Sequence, residues 1–337
     1  MYAVTKDTQP LIHALLKHTQ RWEYIELDIP ELLVQVFAPA RRRMPLLQQL
    51  QLCLAGPEHF DTDMMIDVFA VAPQLQSVVL HIHTSSLQLL WEQLTECRLS
   101  VSIYAILEFL RQTPGLANCV LDDCFWGYNI GEPVPDFPRT SNLLSLHLTQ
   151  TMRTSGIFIF QYVTLPCLHD IAIDIWDKAE WPQEDFMDFI SWSVCPLERL
   201  ALLRVTLTLQ ELTECFQALP SLLELEIDRV YTIKGEGHKS ILNDQLLLRL
   251  IHRAEIDQAI LLPRLQIIKL TGLLHCHDYN LEDMIKSQWC QLSLSVSRLK
   301  SVHLKYHREW DTEVMSRLEQ FAAQGLHLSV IQVAVDI

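Results

Sequence analysis

Four adjacent residues, His275, Cys276, His277 and Asp278, are all of types that ligate metal ions. Neighbours in an extended segment point to opposite sides, and a zinc site draws its ligands from clusters at set spacing. No second cluster with that spacing occurs, so a polar loop is expected and no metal is assigned. His81 and His83 would place two imidazoles on one side of a strand end. No third ligand can be named for them, so they read as surface histidines. The stretch YTIKGEGHKS at 231–240 has glycines before Lys239 and Ser240, the ingredients of a phosphate cradle. It lacks the G-x-x-x-x-G-K-[ST] spacing, so it reads as a flexible loop with the next helix starting near Asn243. Neither G-x-S-x-G nor H-E-x-x-H occurs, and no carboxylates are marked as a paired acid and base. The expectation is a protein that is not an enzyme and holds no cofactor.

The chain has 337 residues, 49% hydrophobic and 20% charged, so it builds a core. A net charge of −15 argues against a general nucleic-acid or anionic-membrane binder, since both partners need a cationic surface. Apolar runs such as SGIFIFQYV are too short to span a bilayer, and the N-terminus has no continuous apolar segment of signal-peptide type. Nine cysteines with no C-x-x-C pair fit a reducing compartment, cytoplasmic or nuclear. The eight tryptophans read as core and turn packing.

The remaining polar residues gain meaning from a refrain. LPSLLELEID at 219–228 returns as LPRLQIIKLTG, APQLQSVVLHI and MPLLQQLQLCL. Ten units share the pattern. Their apolar anchors are Trp22-Ile25-Leu27, Leu47-Leu50-Leu52, Leu75-Val78-Leu80, Leu116-Cys119-Leu121 and Leu143-Leu146-Leu148. Then follow Leu168-Ile171-Ile173, Leu197-Leu200-Leu202, Leu222-Leu225-Ile227, Leu265-Ile268-Leu270 and Leu299-Val302-Leu304. First anchors are separated by 25, 28, 41, 27, 25, 29, 25, 43 and 34 residues, and the two longest gaps read as units carrying insertions. This is the spacing of leucine-rich repeats. The last two anchors of each unit have the period of two of a strand. Proline often precedes the first anchor (Pro45, Pro73, Pro114, Pro166, Pro196, Pro220, Pro263), where it ends the preceding segment without costing a ladder donor.

The segments between strands read as helices. LQELTECFQAL aligns Leu209, Leu212, Cys215, Phe216 and Leu219; TEVMSRLEQFAAQG aligns Val314, Leu318 and Phe321, with Gly325 as a stop. DTDMMIDVFAVAP and QEDFMDFISWSVCP read the same way, with acidic starts. The expected architecture is one α/β domain over 1–337, a leucine-rich-repeat solenoid or horseshoe. It has a parallel sheet on the concave side and helices on the convex side. Its first strand falls near 22–28 and its closing edge strand near 326–335. One unit cannot bury enough surface to stand alone; stacking closes the deficit. The slot that usually holds Asn or Cys after the last leucine is filled by other residues except at Cys124, so irregular turns are expected.

Residues flanking the last two anchors point away from the core and form three rows. On those rows lie Asp170, Asp174, Arg199, Glu224, Glu226 and Asp228, followed by Lys269, His303 and Lys305. A surface acidic in the middle and basic at one end suits a protein partner of the complementary pattern. The loop DDCFWGYNIGEPVPDFPRTS at 122–141 offers a second patch, Phe125, Trp126 and Tyr128.

Three phrases carry a resemblance: HTQRWEYIELDIP (18–30), LWEQLTECRLSVSIYAILEFLRQTPGLANCVLDDC (90–124) and CPLERLALLRVTLTLQELTECFQALPSLLELEID (195–228). They resemble the leucine-rich region of a large family of fungal F-box proteins. His18, Arg21 and Trp22 match its H-x-x-RW opening, and Trp91, Gln93, Leu94 and Thr95 its W-x-QLT phrase. The resemblance implies a protein-interaction module, the substrate-recognition region of a receptor for a Skp–cullin–F-box ubiquitin ligase. The 21 residues before Trp22 hold no Leu-Pro-x-Glu-[Ile/Leu] stretch of F-box type. Skp adaptor binding is therefore expected only if an F-box is encoded upstream, and a free-standing leucine-rich scaffold is the alternative.

Overall fold

The computed structural model describes residues 8–55, 65–81, 87–122, 139–150, 157–175, 181–228, 231–232, 239–251, 260–272, 275–290, 296–306 and 310–332. Contacts divide the chain into two compact units, Met1–Leu146 with Thr154–Pro166, and His147–Arg153 with Cys167–Ile337. The repeat pattern produces twelve strands. These are β1 Tyr24–Pro30, β2 Gln49–Ala55, β3 Ser77–His81, β4 Glu96–Leu99, β5 Asn118–Asp122 and β6 Ser145–Gln150. They continue as β7 Asp170–Ile175, β8 Arg199–Leu203, β9 Glu224–Asp228, β10 Ile267–Gly272, β11 Ser301–Tyr306 and β12 His327–Gln332.

In the first unit β1 to β5 pair in chain order, all parallel; in the second β7 to β12 do the same. The register is the one the anchors dictate. Ile25 faces Leu50 and Leu50 faces Val78; Leu200 faces Leu225 and Leu225 faces Ile268. One-residue slippage would turn every anchor to the wrong side, which is why the pattern specifies the register.

Strands β2 to β5 and β8 to β11 are entered through the same clamp. The carbonyl of Glu23 accepts from the amides of both Gln48 and Gln49, and that of Gln48 accepts from Gln76 and Ser77. The series continues with Gln76 to Thr95 and Glu96, and Thr95 to Ala117 and Asn118. In the second unit it runs from His169 through Glu198, Leu223 and Gln266 to Ser301, with N···O distances of 2.7–3.0 Å. The first anchor of each rung sits directly before or at this clamp, and Leu47, Leu75, Leu197, Leu222 and Leu299 have no exposed surface.

The clamp series exposes one correction. The gap of 41 residues between Leu75 and Leu116 is not a long insertion but holds a further rung, Leu94-Cys97-Leu99 on β4. Leu94 and Leu99 are fully buried. The unit was disguised by its spacing of 19 residues from Leu75, shorter than its neighbours', and by the lack of a proline before Leu94. The other long gap, before Leu265, does carry an insertion. There Tyr231–Thr232 pairs antiparallel with Lys239–Ser240, and a helix follows.

The connections differ between the units. In the second, every strand-to-strand link from β7 onward carries a helix: α3 Gln183–Ser193, α4 Leu209–Ala218, α5 Asp244–Leu250, α6 Asp278–Trp289 and α7 Thr312–Ala323. Three of them, α4, α5 and α7, are capped by side chains. Thr208 and Glu211 form a reciprocal capping box on α4, and Asn243 and Asp311 accept amide hydrogens at the starts of α5 and α7. The first unit holds α1 Thr8–Leu16 and α2 Ile103–Gln112, while Glu31–Ala40, Trp91–Gln93 and Ile157–Gln161 are 3-10 turns. The helix expected within DTDMMIDVFAVAP is absent over residues 65–73. Ile66 forms a bridge to Leu87, and the chain then turns, the Ala70 amide donating to the Asp67 carbonyl, with Ile66, Val68 and Phe69 all buried. Among the described residues no helix is long and apolar enough to cross a membrane.

Two predictions follow from the core. Leu94→Ala should cost about 2–5 kcal/mol in urea unfolding, like Leu222→Ala, because both empty a filled site; a residue in a mere inserted loop would cost under about 0.5 kcal/mol. Val194 ends α3 in the left-handed region (φ 47°) and is 82% exposed. Its β-branched side chain is strained there and packs on little, so Val194→Gly should stabilise by about 1 kcal/mol in the same measurement.

Candidate functional site

Along β3, β5, β9 and β10, buried anchors alternate with half-exposed or exposed residues. The half-exposed residues form an open face. In the second unit its rungs are in register as the sequence implies. Asp170 faces Arg199, Arg199 faces Glu224, Glu224 faces Ile267, and Ile267 faces Ser301. One row over, Glu226 faces Lys269, which faces His303; beyond it Asp228 faces Thr271, which faces Lys305. Neighbouring rungs lie about 4.8 Å apart, so long side chains reach across two strands.

Arg199 is the hub. Its guanidinium donates to Asp170 on β7 at 2.8 Å and to Glu224 and Glu226 on β9 at 3.2 and 3.1 Å. Lys269 on β10 closes the lattice, 2.6 Å from Glu224 and 3.7 Å from Glu226. Burial opposes ionisation of Glu224, yet Lys269 and Arg199 outweigh it and hold its carboxyl below the usual value. The expected separation into an acidic middle and a basic end is therefore a compensated ion lattice over β7 to β10. Ala172 and Ala201, also on these rows, are themselves buried.

Asp174 sits at the end of β7 and is only 7% exposed. It pairs with Arg204, which follows β8 in a left-handed conformation (φ 55°). One Asp174 oxygen and His147 Nε2 are buried without a hydrogen-bond partner. Desolvation raises the Asp174 pKa, opposed by the charges of Arg204 and His147 and aided by Asp228. At the other end of this unit Ser301 Oγ lies 2.8 Å from His303 Nε2 and 3.0 Å from His327 Nδ1. One hydroxyl proton cannot serve both rings, so at least one imidazole nitrogen donates to Ser301 Oγ. Desolvation lowers the His303 pKa, reinforced by His327 and Lys269. Lys305 is exposed.

In the first unit the open face carries Tyr24, which donates to Glu26 at 2.8 Å, and Gln51, which donates to Glu26 at 3.1 Å. Arg98 on the newly found rung pairs with Asp122 on β5. Phe125, Trp126 and Tyr128 lie outside the described residues.

The sequence motifs disperse. His277 bonds to Asp244 through both its ring and its amide, Cys276 is buried, and Asp278 accepts from the amide of Asp311. Among the described residues no group of three or more candidate ligands could hold a metal. His81 lies on β3, and His83 is outside the described residues. Asn243 caps α5, as the sequence suggests, and the glycines of 231–240 also fall outside the described residues. Trp91 packs edge-on against Phe109, Trp181 against Phe186 and Trp310 against Tyr306, while Arg298 stacks over Trp289 at 3.4 Å. Sequence reading missed Glu96, Arg98, Arg204 and His327. The first two follow from the hidden rung and His327 from aligning HLSVIQ with β11; nothing local marks Arg204.

No protein-family model and no curated protein matches the sequence. Among solved structures the chain is similar to a Bacteroides fragilis protein at 14% identity, with a TM-score of 0.41, covering 100% of this chain and 75% of that one. It is also similar to an internalin from Listeria monocytogenes at 13% identity, with a TM-score of 0.36, covering 98% and 89%. Likeness at this level carries no argument. The leucine-rich-repeat assignment rests on the anchors, the parallel register and the repeated clamp.

Two measurements check the lattice. Arg199→Met leaves Asp170, Glu224 and Glu226 facing one another and should cost about 1–2 kcal/mol in urea unfolding, a figure reduced because the Arg199 side chain is 33% exposed. The loss should shrink as pH falls through the depressed Glu224 value, where the stabilising charge disappears. Asp174 has the opposite sign. Its raised pKa means that ionisation disfavours the folded state, and the penalty grows as pH climbs above 3.8 and is complete above the folded value. Asp174→Asn should therefore be no less stable than the parent at pH 7, with the advantage gone by about pH 3.

Proposed function

We propose that this chain is a protein-recognition scaffold that holds its partner on the open strand face. The observation that supports this most is the in-register ladder of Asp170, Arg199, Glu224, Glu226 and Lys269. It fixes long polar side chains in one geometry before any partner arrives. Preorganised groups lose little entropy on binding. Asp174 and Asp228 extend the row at the strand ends, and His303 and Lys305 continue it on β11. The partner is a protein of mixed charge, because an already compensated lattice favours one that substitutes its own ion pairs.

The finer reading is the substrate-recognition region of an F-box-type receptor for a Skp–cullin–F-box ubiquitin ligase. The three phrases at 18–30, 90–124 and 195–228 support it, and the F-box would be carried by coding sequence upstream of Met1. A free-standing scaffold is the second reading. Co-purification of the full-length gene product with the Skp adaptor separates them. Recovery of the adaptor favours the receptor; no recovery, with no upstream F-box in the coding sequence, favours the scaffold.

Lys305 gives the cleanest test of the face. It is exposed and its charge lies outside the lattice, so Lys305→Glu should leave unfolding within about 0.5 kcal/mol of the parent. It should weaken a captured partner about 5-fold or more in a binding titration. An unchanged affinity would place the partner elsewhere. Reversals at Glu224 or Glu226 are less clean, because they also break the contacts of Arg199 and Lys269.

A further inference from the structure

The middle anchor of a rung is Leu, Ile or Val in ten of the twelve strands: Ile25, Leu50, Val78, Leu146, Ile171, Leu200, Leu225, Ile268, Val302 and Leu328. The two exceptions are Cys97 and Cys119, and they fall on consecutive rungs. They face each other directly in the β4–β5 ladder. Both are buried and both are free thiols. Their sulfur atoms lie 3.3 Å apart.

We propose that Cys97 and Cys119 form a latent cross-link that closes to a disulfide by exchange with a low-molecular-weight disulfide such as glutathione disulfide. The geometry meets the requirement. In-register neighbours on parallel strands have Cα atoms about 4.8 Å apart, inside the roughly 4.4–6.8 Å window of protein disulfides. The sulfurs already lie side by side and need to close by about 1.2 Å to reach bonding distance, a change supplied by side-chain rotation with a small approach of the two strands. Two consecutive aliphatic positions given over to thiols are also hard to explain by volume, since valine occupies the same slot on β3 and β11.

The exchange balances. One protein thiolate attacks a sulfur of glutathione disulfide, giving a mixed disulfide and one glutathione thiolate. The second protein thiol gives up its proton and attacks the mixed disulfide, forming the Cys97–Cys119 bond and expelling the second glutathione. One disulfide is consumed, one is made, and two molecules of glutathione carry away the two hydrogens. The hydrogen bond with the Cys97 sulfur, together with burial, holds the Cys119 thiol well above its ordinary pKa, so the reaction is slow near neutrality and faster in base. It proceeds through transient opening of β4, which at four residues is the shortest of the twelve strands. Closure would staple the rung carrying Arg98 to the rung carrying Asp122, and so fix the polar face of the first unit.

The test uses the full chain as a Cys290→Ser variant, because Cys290 is the exposed thiol among the described cysteines. The folded protein is incubated with glutathione disulfide at pH 7.0 and 8.5, quenched by alkylation, and mapped by fragment-sequenced mass spectrometry. The expected result is paired loss of the two thiols into one Cys97–Cys119 linked peptide, at least several-fold faster at the higher pH and reversed by dithiothreitol. Cys97→Val and Cys119→Val, which restore the residue type of other rungs, should each abolish the link while retaining the parent circular dichroism. Recovery of both thiols alkylated, a stable glutathione adduct on either, or links confined to other cysteines would overturn the proposal.

Discussion

The fold depends on one repeated constraint: the backbone carbonyl just before a strand accepts from two successive amides at the entry to the next. Glu23 serves Gln48 and Gln49 this way, and Glu198 serves Leu223 and Glu224. Each acceptance sets the register of the following rung. With register set, the aliphatic anchors fall on one side and the polar rows on the other, and neither can shift without the other. Stability and surface chemistry are thus consequences of one hydrogen-bond geometry, propagated strand by strand in each unit.

That geometry explains the character of the open face. Parallel in-register strands bring residues of successive repeats within reach of one another, so Arg199 touches carboxylates on both flanks. A repeat protein that places Asp, Arg, Glu and Lys at equivalent positions builds a lattice from sequence alone. The lattice moderates its own charge, and it makes Arg199 as much a structural residue as a surface one. Where the lattice ends, the energetics change sign: Asp174 is buried enough that desolvation outweighs its guanidinium partner.

Much of this was legible in the chain. The Leu-x-x-Leu-x-Leu refrain located ten rungs and their facing residues, and the helix stripes over 183–193, 209–218 and 312–323 matched α3, α4 and α7. The rung at Leu94 is hidden because its unit is short and no proline precedes its first anchor. The acidic residues and apolar spacing around Ile66 suit a helix, and only the bridge to Leu87, a non-local contact, sets the segment otherwise. The rows predicted which residues would be neighbours. They could not show that opposite charges would be spent on each other, because that depends on side-chain reach across the ladder. Arg204 was invisible for a similar reason: its role comes from a left-handed turn that no local residue type announces.

The most direct test of the register claim is native-state amide hydrogen exchange at the hidden rung. If the clamp runs through it, the amides of Thr95, Glu96, Ala117 and Asn118 exchange as slowly as those of nearby core strand amides such as Val78 and Leu121, within about tenfold. If residues 94–99 are instead an inserted loop, Thr95 and Glu96 exchange at close to the rate of an unstructured chain while the neighbouring core stays protected, and the account of the ladder fails.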